Sequence, residues 1–172
     1  MYKVVGILCI LAGCAGFGNL KVRQEKDRIR HLRAFIHIMR RIQNEISYGK
    51  HTVPEICLII ADCGENGYAS YFKEIHRQMC QGNGTGLKET WKEQMEACLR
   101  ELPLQAEEKE AIMNLPVFLG LQEENRQAMG LEQSVELLTR KCRQAEEAYD
   151  NRAKMIHSVS ILAGLLLSIL LL

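Results

Sequence analysis

The sequence predicts an all-α protein: an antiparallel helical bundle of about six helices, with a transmembrane helix at each terminus. Three observations predict it. Both ends are apolar: residues 156–172 carry no Asp, Glu, Lys or Arg, and the first twenty residues carry one formal side-chain charge, Lys3. Each stretch reaches the lower part of the range of about 17–25 residues that a spanning helix needs. Between them, apolar residues recur in alternating steps of three and four, the spacing of one helix face. No stretch reads convincingly as a strand. The chain therefore divides into an N-terminal transmembrane segment, 1–20, a helical domain, 21–154, and a C-terminal transmembrane segment, 155–172. The middle, about 130 residues, is long enough to bury a core.

The first helix of the domain is read from Ile29, Leu32, Ile36, Met39, Gln43 and Ile46, with Gly49 at its C-terminal cap. Thr52-Val53-Pro54-Glu55 has the form of a capping box, and Pro54 fits a first turn whose amides have no helical partner. A short second helix should bury Ile56, Ile59, Ile60 and Cys63 and stop at Gly64 or Gly67. Tyr68, Tyr71, Phe72, Ile75 and Met79 form a third stripe. Residues 81–86, QGNGTG, form a flexible loop. Leu87, Trp91, Met95, Cys98 and Leu102 give a fourth helix, ended by Pro103. A fifth runs from about Gln105 to Leu119 with Ile112, Leu115 and Leu119 inward, and Pro116 should kink or shorten it. The last helix starts near Glu123 and carries the longest seam: Ala128, Leu131, Val135, Leu138, Cys142, Ala145, Tyr149, Arg152 and Ile156. That heptad-like seam wants a partner. The first helix carries a matching one, so the two should pack antiparallel with the short helices stacked on them.

Charge distribution predicts topology. From Leu20 to Lys50 there are nine Lys/Arg against three Asp/Glu, and from His51 to Asp150 ten against eighteen. Lys21, Arg23, Lys26, Arg28 and Arg30 follow the first apolar segment, and Arg152 and Lys154 precede the second. Positive flanks stay on the cytoplasmic side, so the middle domain should face the cytosol. Anionic membrane lipid is the natural neighbour of the basic stretch. Nucleic acid is a poor fit, because the run has little aromatic interleaving and the rest of the domain is acidic. Seven cysteines without a CxxC pair suit free, largely buried thiols in a reducing compartment better than a disulfide scaffold. One alternative opposes this topology. Leu11-Ala12-Gly13-Cys14 resembles a lipobox, which would make the chain a surface-exposed lipoprotein acylated at Cys14 with a helical interaction domain.

No catalytic arrangement stands out. The histidines at 31, 37, 51, 76 and 157 show neither HExxH nor a Cys/His ligand pattern, and read as solvent-facing or interfacial. QGNGTG lacks the GK[ST] ending of a P-loop. Glu107, Glu108 and Glu110 read as a solvated helix start that the helix dipole favours. No catalytic, cofactor-binding or metal residue is assigned. The apolar ends carry small residues four apart: Ala12 and Gly16 in the first, and Ser160, Gly164 and Ser168 in the second. That spacing lets membrane helices approach closely.

The order of features resembles a known family. HLRAFIHIMRRIQNEISYGKHTVPEI follows the basic stretch. Next come a YFKEI segment, an ETWKEQM segment, FLGLQEENRQAMGLEQSVELL and AKMIHSVSILAGLLLSILLL. This set is similar to the stage III sporulation protein AB family of endospore-forming bacteria, across essentially the whole chain. The most telling piece is Glu45-Ile46-x-Tyr48-Gly49 followed by Pro54-Glu55. Trp91 and Leu119-Gly120 add to it.

The resemblance implies a helical domain like the cytoplasmic domains of the type II secretion F protein, an inner-membrane platform component. It implies a non-enzymatic, membrane-anchored part of the channel joining mother cell and forespore, placed in the mother-cell membrane. The partners it implies are the other stage III sporulation channel proteins, including a cytosolic secretion-type ATPase, and it leaves homo-oligomers open. Glu45, Tyr48, Gly49, Pro54, Trp91 and Gly120 carry over as family-pattern positions with a structural role, and burial is expected for Tyr48 and Trp91. Gln122, Glu123 and Glu124 depart from the acidic pattern expected after the Leu-Gly pair. His51 and Val53 replace more typical residues around Thr52.

Overall fold

The computed structural model describes the backbone of residues 2–49, 51–63, 67–81, 86–119 and 124–171. Side chains are described at 23–48, 51–63, 67–81, 86–119, 126–152, 155 and 159. Among the described residues every element is helical. The α-helices are α1 (Tyr2–Asn44), α2 (Val53–Asp62), α3 (Ala69–Cys80), α4 (Leu87–Leu99), α5 (Ala106–Met113), α6 (Leu115–Leu119) and α7 (Glu124–Leu171). Glu45–Gly49 forms one π-helical turn at the end of α1. The chain divides into two compact units, one of Met1–Ile29 with Arg143–Leu172 and one of Arg30–Cys142.

The two terminal helices are long, 43 residues for α1 and 48 for α7. At a rise of 1.5 Å per residue they measure about 65 and about 72 Å. Among the described residues no helix is long and apolar enough to cross a membrane. The predicted spans, 1–20 and 155–172, fall almost wholly on residues whose side chains lie outside the described set. The small-residue positions Ala12, Gly16, Ser160, Gly164 and Ser168, and Cys14, are among them. In the first unit, Arg152 of α7 reaches Glu25 of α1 at 3.7 Å. Arg28 meets the same carboxylate at 3.1 Å.

The Arg30–Cys142 unit holds most of the core. On α1, Leu32, Phe35, Ile38, Met39 and Ile42 are buried, and each such side chain contributes about 1.5–3 kcal/mol when removed from water. This face is not quite the expected one. Ile36, Gln43 and Ile46 are only half-buried, and Phe35, Ile38 and Ile42 take their place. Both sets satisfy steps of three and four. The observed set avoids placing the amide of Gln43 in the core, and it presents Phe35 to Tyr68, ring centroids 4.7 Å apart.

α2 packs on α3, α3 on α4, and α4 on both α5 and α6. α2 buries Ile56, Cys57, Ile60 and Ala61, while Cys63, expected inward, is exposed at the helix end. The turn into α3 uses Gly67 at φ +86, a left-handed conformation that glycine adopts without a steric penalty. α3 buries Phe72 and Ile75 behind Tyr68 at its N-terminus. The loop expected at 81–86 lies mostly outside the described residues. α4 buries Trp91, Met95, Cys98 and Leu99.

The predicted fifth helix breaks in two, as Pro116 demands: α5 ends at Met113, Asn114 caps it, and α6 starts at Leu115. Glu108 corrects the reading of a solvated acidic start. It is fully buried, and its carboxylate accepts the backbone N–H of Gln105 at 2.7 Å, closing the α5 capping box. Glu107 stays exposed and pairs with Lys141 of α7, which holds its carboxyl below the ordinary value. On α7 the predicted seam is buried at Leu131, Val135, Leu138, Cys142 and Ala145. Gly130 lies against Phe118, where an added Cβ would come within 2.1 Å of the ring.

Candidate functional site

The family-pattern residues fall in two places. Glu45, Tyr48, Gly49 and Pro54 belong to the joint between α1 and α2, and Trp91 to the core. Gly120 lies outside the described residues.

The joint is built from local hydrogen bonds. The helix of α1 widens into the π turn at Glu45 and ends at Gly49, where a cap is expected from sequence. Extra backbone in such turns is often found at functional sites. Glu45 accepts from Nδ1 of His51 at 2.9 Å, clasping the chain across the turn. Glu55 Oε2 then accepts both the backbone N–H of Thr52 at 2.7 Å and its hydroxyl at 2.8 Å. Those two bonds, the amide first, lower the carboxyl of Glu55 from its ordinary value. Pro54 stands in the first turn of α2. Its carbonyl oxygen accepts Nδ1–H of His76 at 2.8 Å, tying the joint to α3.

Tyr48 is the outlier. It is 87% exposed, so the expected burial is overturned. Tyr48 comes seven residues after Arg41 and four after Asn44, both exposed, so the helical period itself puts it on the solvent side of α1. Beside it, α1 presents a basic face. Arg30, Arg33, His37, Arg40 and Arg41 are all exposed, and the chain has no Asp or Glu between Asp27 and Glu45. Arginine forks suit carboxylate recognition, and an exposed aromatic next to arginines has the composition of a protein-binding surface.

Trp91 is buried to 1% exposure. Its ring meets Phe72 edge-on, centroids 5.8 Å apart, and Nε1–H donates to the carbonyl of Ile112 at 3.1 Å. Burial pushes the Cys98 thiol up to about 11 and the Cys57 thiol up to about 12. Tyr68 shares a 2.5 Å hydrogen bond with Nδ1 of His31, and burial raises its hydroxyl well above the ordinary value. Among the described residues no three His, Cys, Asp or Glu side chains gather as a metal centre would require. The sequence reading missed the Glu45–His51 clasp, because a π turn has no signature in a 3.6-residue period. It also passed over His76 and Cys80, whose i, i+4 spacing places them on one helix face.

The family model of stage III sporulation protein AB matches residues 3–172. The stage III sporulation protein AB of Bacillus subtilis (strain 168) is 28% identical over 174 residues, covering 99% of both chains. A solved structure of a stage III sporulation protein AB superposes with a TM-score of 0.65 at 20% identity, covering 72% of this chain and 97% of that one. At that identity the likeness speaks for the fold. The all-helical architecture, the capped joint after α1 and the match along nearly the whole chain agree: this chain belongs to the stage III sporulation protein AB family, and its role is in sporulation.

Proposed function

We propose that the protein acts by position rather than by chemistry, as a membrane-anchored platform in the channel joining mother cell and forespore. One observation carries this reading. Both terminal helices continue without a break from a core-facing stripe into sequence free of Asp, Glu, Lys and Arg: α1 backward through residues 4–20, α7 forward through 155–171. Helices that served only the core would not need such ends, and apolar stretches of this length suit a bilayer. Small residues at Ala12 and Gly16, and at Ser160, Gly164 and Ser168, suit packing between these helices or against membrane partners.

The helical domain then faces the cytosol and offers docking surfaces. The arginine face of α1 with Tyr48 at its end suits an acidic segment of a partner, and a cytosolic secretion-type ATPase is the partner that the family role suggests. Basic residues nearest the apolar segment, Lys21 to Lys26, suit anionic lipid instead, because such attraction fades within about 8 Å at physiological salt.

The deciding experiment is thiol accessibility in sporulating cells of the native host. Single-cysteine variants in the 81–86 loop are treated with a membrane-impermeant thiol reagent. A loop protected in intact cells and labelled after lysis supports the platform reading. A loop labelled without lysis overturns the topology and favours the alternative, a surface lipoprotein acylated at Cys14.

A further inference from the structure

Two exposed faces of the Arg30–Cys142 unit are complementary in charge. One is the far end of the α1 face, where Arg40, Arg41 and Asn44 are exposed and Tyr48 follows at 87% exposure. The other is the first part of α7. Met129, Glu132, Gln133 and Glu136 are exposed at steps of three and four, so they form one stripe turned away from the buried Leu131, Val135 and Leu138. Met129 is 62% exposed, and Glu132 and Glu136, one turn apart, repel each other. Among the described residues no ion pair joins Arg40, Arg41, Glu132 or Glu136 to another side chain. The spacing matches as well: Tyr48 stands seven residues from Arg41, and Met129 seven from Glu136. So does the distance to the apolar ends. Measured along the helices at 1.5 Å per residue, Tyr48 lies about 40 Å beyond Leu20 and Met129 about 40 Å before Met155, while Arg41 and Glu136 each lie about 30 Å away.

We propose that the far end of the α1 face docks on the α7 stripe of a second copy of this chain, anchored in the same membrane. This names the acidic partner of that face, and it rests on the membrane-anchored reading. Copies held in one bilayer meet side by side, so groups at equal distance from it face each other, and α1 of one copy runs antiparallel to α7 of the next. Arg40 and Arg41 then oppose Glu132 and Glu136, and the ring of Tyr48 opposes the thioether of Met129, a favourable sulfur–aromatic contact. Docking relieves the repulsion between the two glutamates and covers both exposed side chains. The contact does not extend toward the apolar ends. There the α7 stripe turns basic at Arg140 and Arg143, which already have Glu107 and Glu147 beside them, and like charges would meet Arg33 and His37. Those two lie outside the contact and stay exposed for other partners. Each copy uses a different face toward each neighbour, so the contact is heterologous, and copies assemble in a row or a closed ring.

The test uses the full chain in sporulating cells of the native host, as two differently tagged copies produced together, both with Cys63→Ser and Cys80→Ser. One copy carries Tyr48→Cys and the other Met129→Cys, and membranes from broken cells are treated with a short bismaleimide. The mixed pair should cross-link several-fold more than Tyr48→Cys with itself, Met129→Cys with itself, or copies without the added cysteine. Arg41→Glu in the first copy should cut the mixed product several-fold, and Glu136→Arg in the second should restore it. All four of these positions are exposed, and equal amounts of each variant in the membrane fraction check that it folds. A chain present in the membrane fraction without the mixed product overturns the contact and leaves the anchored reading standing. So does like-with-like cross-linking at equal yield, a mixed product indifferent to Arg41→Glu, or a loss that Glu136→Arg fails to restore. A chain missing from the membrane fraction overturns both.

Discussion

Trp91 supplies the hydrogen bond that Pro116 cannot. In an uninterrupted helix the carbonyl of Ile112 would accept from the amide of residue 116, and proline has no N–H. The indole of Trp91, from α4, donates to that carbonyl at 3.1 Å instead. The break between α5 and α6 is thereby stabilised from across the core.

Trp91→Phe should keep much of the ring packing and leave a buried carbonyl unsatisfied, at a cost of about 1–3 kcal/mol. Pro116→Ala returns an amide to position 116. Its effect should be clearly more favourable in the Trp91→Phe background than in wild type, a coupling that denaturant unfolding of the four proteins measures. Equal effects of Pro116→Ala in both backgrounds would mean the two residues are not linked through Ile112.

How far the sequence disclosed the fold depends on which residues carry the signal. The α7 seam from Leu131 to Ala145 was readable because a long helix repeats its period often enough to fix the face. The capping box at Thr52-Glu55 and the break at Pro116 were readable because they are local chemistry. The α1 face was misread by one position in places, because Ile36 and Phe35 fit the period equally well. Tyr48 is exposed against expectation: its aromatic identity suggested burial, while its place two turns after the exposed Arg41 puts it on the solvent face. Glu108 looked like any acidic helix start, and only the fold shows the capping carboxylate buried. The consequence is measurable. Trp91→Ala should cost about 3–5 kcal/mol, whereas Tyr48→Ala should stay within about 0.5 kcal/mol of wild type. A large loss of stability in Tyr48→Ala would contradict its exposure.

Gly130 sits in the interior of α7, where glycine is worse than alanine by about 0.8–1.0 kcal/mol. The ring of Phe118 occupies the space a Cβ would need there. Gly130→Ala should therefore destabilise the protein, by about 1–3 kcal/mol if Phe118 is forced aside. In a Phe118→Ala background the same change should become stabilising, because the helical preference is then unopposed. Chemical unfolding reads the change of sign, and a substitution that stabilises wild type equally would show that Phe118 yields freely.

Thr90 is the described side chain whose buried oxygen has no hydrogen-bond partner. It lies on α4 beside Trp91, 1% exposed. Threonine and valine have nearly the same shape, so Thr90→Val removes an unsatisfied hydroxyl without opening a cavity. Leaving such a group buried costs about 1–3 kcal/mol, and the substitution should recover about 1 kcal/mol, seen as a higher unfolding midpoint. A lowered midpoint would reveal a partner for the hydroxyl.

Acid should weaken the α3 surface in a defined window. Arg77 first, then Gln78, hydrogen-bond the carboxylate of Glu74 and lower its pKa from 4.5 to about 2. A depressed folded pKa contributes stability that is present above the unfolded value and lost as pH falls toward the folded one. The contribution of Glu74 is therefore complete above about pH 5 and disappears between 4.5 and 2. The group is solvent-exposed, so screening keeps the effect small. Glu55, lowered by its bonds to Thr52, acts in the same direction and loosens the α2 cap over the lower part of the acid range. Comparing wild type with Glu74→Gln isolates the first contribution. Wild type should be the more stable at neutral pH, and the gap should close as pH falls through that window. A gap that persists at pH 2 would mean that the Arg77 contact stabilises the helix independently of the charge on Glu74.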